Sequence, residues 1–92
     1  MRGDREVCIV TVTLSTTAMA MERVEPRDLE LEVRARLARS CPGARVYVET
    51  SGRVGQHTAT AEWADGTSLD RMERYDAVDT HVASAWSALR RW

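Results

Sequence analysis

The sequence predicts an α+β fold: a two-layer sandwich in which two helices cover one face of a mostly antiparallel sheet of three or four strands, in the order β-α-β-β-(β)-α. Three observations lead there. Runs rich in valine and threonine alternate at 6–14, 44–50 and 56–63, an apolar stripe at helical spacing fills 26–40, and glycine-bearing turns separate the later runs. A chain of 92 residues, 43% hydrophobic and 29% charged with a formal charge of -1, has the composition of one folded domain spanning 1–92.

The first run, EVCIVTVTL, sets Cys8, Val10, Val12 and Leu14 on one face of a strand and Val7, Ile9, Thr11 and Thr13 on the other. The segment after it, STTAMAMERVE, has no strong periodicity. It reads as a prolonged strand or an adaptable loop, with Met19 and Met21 as flexible apolar groups. Pro26 suits a first helical turn, because its missing N–H needs no partner there. Leu29, Val33 and Leu37 then repeat at every fourth residue, and Leu31, Ala35 and Ala38 are expected to widen the stripe. Glu30 with Arg34 and Glu32 with Arg36 are i,i+4 pairs with the acid on the favourable N-terminal side, and Cys-Pro-Gly at 41–43 ends the helix.

The strands at 44–50 and 56–63 are joined by Ser-Gly-Arg-Val-Gly and are expected to pair as an antiparallel hairpin. Val46 and Val48 oppose Arg45, Tyr47 and Glu49 in the first; His57, Ala59, Ala61 and Trp63 oppose Thr58, Thr60 and Glu62 in the second. Beyond Asp65-Gly66 two continuations compete. A fourth strand over 68–75 followed by a helix from 76 fits the Asp-Gly turn and is preferred. A single long helix capped by Thr67 and Asp70 fits a stripe of Leu69, Met72, Tyr75, Val78, Val82, Ala85, Trp86 and Leu89.

Charge excludes a nucleic-acid footprint of the usual kind. All 13 basic residues are arginines and are spread evenly, eight against seven acids in residues 1–46 and five against seven in 47–92. Tyr47 with Arg45 on an open sheet face gives single-strand binding a foothold, but Glu49 and Glu62 repel phosphate, so weak single-strand binding ranks third. Two cysteines, Cys8 and Cys41, do not make a disulfide framework and read as reduced thiols, which together with the lack of an apolar membrane span points to a cytoplasmic setting.

Chemistry-bearing motifs are sparse. Cys8, Cys41, His57 and His81 lie at no metal-chelating spacing, no serine sits in a nucleophile elbow, and no glycine-rich phosphate loop occurs, so neither metal nor cofactor is expected. His57 reads as a packed residue at the core margin with one nitrogen wet, and His81 as a solvated flank residue. The expectation is a non-enzymatic protein-interaction module, a binder or inhibitor of a larger protein or a homodimer, of the kind a mobile element encodes. Its surfaces are the open sheet face with Ile9 and Tyr47, the segment bearing Met19 and Met21, and the terminal helix around Arg90, Arg91 and Trp92. The runner-up is a dimeric enzyme that builds a pocket from His57 or His81 with an acid of the partner chain.

Overall fold

In the computed structural model, which describes residues 6–90, the most apolar strand lies in the middle. β1 (Val7–Ser15) buries Val10, Val12 and Leu14 completely and pairs on both sides. Helices α1 (Thr16–Glu22) and α2 (Pro26–Ser40) lead to β2 (Arg45–Ser51), then β3 (Thr58–Trp63) follows. The sheet order is β2-β1-β3, with β2 parallel and β3 antiparallel to β1. The remaining helix is α3 (Arg71–Arg74), a π-helical stretch Tyr75–Asp79 and α4 (Thr80–Leu89) in continuous succession.

This corrects the expected sandwich in three ways. The sheet is mixed, with three strands, and three helices pack on it instead of two. The hairpin between 44–50 and 56–63 does not form, because a helical crossover returns the chain to the start of the sheet and so makes β2 parallel to β1. Residues 52–57 then carry the chain over the C-terminal end of β1 to its other side, where Thr58 pairs with Thr13. The fourth strand is also absent: Ser68 makes one antiparallel bridge to Glu62, and the helix begins at Arg71. The Asp-Gly turn does form, with Gly66 at φ 90° and Asp65 Oδ1 accepting from the Thr67 N–H and hydroxyl, but a capping box between Asp70 and Glu73 starts the helix at once.

The segment after β1 is helical because Ser15 caps it. Its Oγ accepts from the Ala18 N–H at 3.1 Å and donates to the Val54 carbonyl at 2.7 Å, while Thr16 Oγ1 donates to the Ser51 carbonyl. Ser15 is wholly buried, so one side chain joins the end of β1, the start of α1 and the crossing loop. Helix α2 buries Leu29, Val33 and Leu37 against the sheet, each contributing about 1.5–3 kcal/mol. Leu31, Ala35 and Ala38 stay exposed, so the stripe is narrower than its sequence suggests. Both i,i+4 pairs form, at 3.1 Å for Glu30 with Arg34 and 2.8 Å for Glu32 with Arg36.

Two insertions shift faces. A bulge in β1 sets Val7 opposite Trp63 and Ile9 opposite Glu62, so Cys8 is the extra residue and turns outward, while Val7 packs on the core in its place. In the last helix the π turn adds a residue and rotates what precedes it by about 100°. Val78, Val82 and Ala85 remain buried, but Met72 and Tyr75, expected on the same stripe, are 74% and 59% exposed. Arg74 Nε meets Asp79 Oδ2 at 3.0 Å across this turn.

Substituting Ser15→Ala leaves the Ala18 N–H and the Val54 carbonyl without their partner in a dry position. The expected loss is about 2–3 kcal/mol, read as a lower urea midpoint at unchanged slope; a change below about 0.5 kcal/mol would show that the joint is not structural.

Candidate functional site

The helices and the loop at 52–57 occupy one side of the sheet and its end, leaving the other face bare among the described residues. Register fixes its pattern. Three rows cross it from β2 through β1 to β3: Arg45, Ile9, Glu62; Tyr47, Thr11, Thr60; and Glu49, Thr13, Thr58. Tyr47 is 51% exposed, Ile9, Thr11 and Thr13 are half-buried on the central strand, and the β3 residues are exposed. Thr13 Oγ1 donates to Glu49 at 3.3 Å, whereas Arg45 and Glu62 have no ion-pair partner among the described residues. The face therefore offers a polar-apolar centre with charge at three of its four corners.

A cleft of about 370 Å³ opens on the other side, between the start of β3, α1 and one face of the last helix, walled by Ala18, His57, Ala59, Asp79, Val82 and Trp86. Its histidine is committed to the fold. Nδ1 of His57 accepts from the Ser15 backbone N–H at 2.9 Å, so the neutral ring carries its hydrogen on Nε2. Nε2 is buried with no hydrogen-bond partner, and the ring stands edge-on to Trp86 with centroids 4.5 Å apart. The expected wet nitrogen is thus absent. Burial pushes the His57 pKa below its ordinary 6.5. Asp79 faces the same cleft but is held by Arg74.

The other candidates are scattered. Met19, expected at a contact surface, is 1% exposed and belongs to the core, while Met21 is 77% exposed at the end of α1. Arg90 caps α4 with its guanidinium 5.9 Å from the Trp86 ring centre; Arg91 and Trp92 lie outside the described residues. His81 lines a shallow groove with Arg36, Arg39 and Ser40, and among the described residues no carboxylate borders it. Ile9 and Tyr47 share the bare face, on adjacent strands and adjacent rows. Thr11, Thr60, Arg45 and Glu62 join them there; alternation placed these residues on one face, but only the strand order puts Arg45 and Glu62 at opposite ends of one row.

Among the described residues no three of His, Cys, Asp and Glu are grouped to hold a metal ion, and no helix is long and apolar enough to cross a membrane. Both cysteines are free thiols: Cys8 is exposed, and burial, partly offset by the Ser40 hydroxyl, pushes the Cys41 thiol up. No family model, curated protein or solved structure matches the chain.

Protonating His57 removes the acceptor for the Ser15 N–H and places a charge in a dry site. Its folded pKa lies below the unfolded value, so stability is complete above 6.5 and falls as pH drops from there through the lowered folded value. Thermal melts between about pH 8 and pH 5 should show this loss in the native chain and in His81→Asn. The His57→Asn variant keeps an acceptor near Nδ1 but does not titrate, so its melts should lack this component. Thiol labelling should be fast at Cys8 and, at Cys41, limited by opening of the core; equal rates would contradict the bulge.

Proposed function

We propose that this chain is a small non-catalytic protein-interaction module, a binder or inhibitor that docks a protein surface on its bare sheet face and acts in the cytoplasm. The observation that carries the reading is the face itself. Three strands present Tyr47, Ile9 and a set of threonines to solvent while the helices are spent on the other side. Such a surface is amphipathic. Tyrosine supplies large contact area with little side-chain entropy to lose, and threonine tolerates both water and contact. Two free thiols accord with a reducing compartment.

The enzyme reading has less support. His57, its best candidate, spends Nδ1 on the backbone of Ser15 and buries Nε2 against Trp86, so neither nitrogen meets a substrate in the cleft. His81 sits among arginines, which do not orient an imidazole as a base. Single-strand binding is disfavoured by the same face, where Glu49 stands beside Tyr47 and Glu62 adds a second negative charge at the opposite corner.

The two exposed tyrosines allow a controlled test. Replacing Tyr47 on the face by aspartate should weaken association with the protein's partner by about tenfold or more, whereas Tyr75→Asp on the last helix should leave it unchanged. Calorimetric titration reads both, and circular dichroism confirms that each variant is folded. Equal losses, or a loss confined to Tyr75, would move the interface off the sheet.

A further inference from the structure

We infer that the partner of the bare sheet face is a second copy of this chain, packed face to face about a two-fold axis parallel to the strands. This rests on the docking-face reading above and assigns its occupant.

The argument is the placement of charge. Two corners of the face lie in the first row, Arg45 on β2 and Glu62 on β3; the other two lie in the third, Glu49 on β2 and Thr58 on β3. A two-fold axis along the strands lays β2 of one copy over β3 of the other at the same height. Arg45 then meets Glu62 of the second copy, Glu62 meets its Arg45, and Glu49 meets its Thr58, so no like charges oppose each other. The same operation sets Ile9 on its own counterpart in the first row, Thr11 on its counterpart at the centre, and Tyr47 over the small Thr60. Tyr47 and Glu49 thus face small side chains, which suits two sheets about 10 Å apart.

Other arrangements fit less well. An axis across the strands also matches Arg45 with a glutamate, Glu49, but stacks Tyr47 on Tyr47 at one edge and Thr60 on Thr60 at the other, which wedges the sheets apart. Orthogonal packing, with the axis along either diagonal, brings like charges together: Arg45 on Arg45 with Glu49 on Glu62, or each glutamate on itself. The edges are also less available than the face. Arg34 Nη1 donates to the Val46 carbonyl of edge strand β2 at 2.8 Å, and the chain at 67–69 hydrogen-bonds to Trp63 and Ala61 of β3.

The area sets the strength. Three strands of about six residues cover roughly 300 Å² in plan, well below the roughly 800 Å² per partner of a standard interface, so association is weak and concentration-dependent.

Sedimentation equilibrium on the full chain, from about micromolar to millimolar concentration, tests the assignment. The native chain should pass from monomer to dimer. Arg45→Glu and Glu62→Arg should each weaken self-association by about tenfold or more, since each sets like charges opposite each other twice. Mixed together, the two variants should recover a heterodimer, because every opposed pair is again opposite in sign. Complementation by Arg45→Glu with Glu49→Arg instead would overturn the strand-parallel axis. A native chain that stays monomeric throughout would overturn self-association; the docking face would survive that result if Tyr47→Asp still abolished binding of a different protein. Dimers indifferent to Tyr47, Arg45 and Glu62 alike would overturn the face-to-face assignment and place self-association on another surface.

Discussion

Ser15 ends β1, starts α1 and holds the chain that steps over β1 to reach β3. Its hydroxyl bridges the Ala18 N–H and the Val54 carbonyl, and its own N–H is received by His57 just before β3 begins. The central position of β1 depends on this joint. A chain leaving β2 has its nearest open edge beside β2 itself, and only a loop fixed across the end of β1 delivers the next strand to the far side. Glycine at 52 lets that loop lie close, since a Cβ there would stand 3.3 Å from Thr16 Oγ1. His57 completes the joint from the β3 side, which explains why a histidine in a cleft is bound so fully to backbone and indole.

Local structure was legible in the sequence where the physics is local. Alternation placed Val10, Val12, Val46, Val48 and Ala61 inward, and acid-base spacing marked the solvent side of α2. Pairing was not legible, because a Ser-Gly…Gly segment signals a change of direction without saying which strand lies on the other side. The helical crossover before β2 carried that information, since strands joined through a helix run parallel. The Asp-Gly signal was sound as a turn and misleading as a hairpin: Leu69 reaches the core after one bridge, and Asp70 with Glu73 then satisfies the helix start. Neither the bulge at Cys8 nor the π turn at Tyr75–Asp79 has a local signature here, yet each changed which side chains are exposed.

The same division applies to the candidate site. Counting alternate residues suffices to put Ile9 and Tyr47 on the outward face, because each strand is covered on one side only. Met19 departs from its expected place because residues 16–22 form a helix capped by Ser15, and a methionine on the inner side of that helix fills the core rather than greeting a partner. The rows of the face were beyond the sequence altogether. Arg45 and Glu62 are seventeen positions apart in the chain and meet across Ile9 only because β1 lies between their strands.

That row sets the charge pattern of the face. An open sheet face invites indiscriminate contact, and charge at its corners opposes most approaches while permitting a few. Exposed ion pairs are worth about 0.2–1 kcal/mol each, too little to hold two molecules together but enough to choose between orientations of similar contact area. In the proposed complex the attraction comes from burial of Ile9, Tyr47 and the threonine methyls, and their small area keeps it modest. In that proposed complex affinity and orientation come from different residues: substitutions at Ile9 and Tyr47 act on how long it lasts, and substitutions at the corners act on which complex forms.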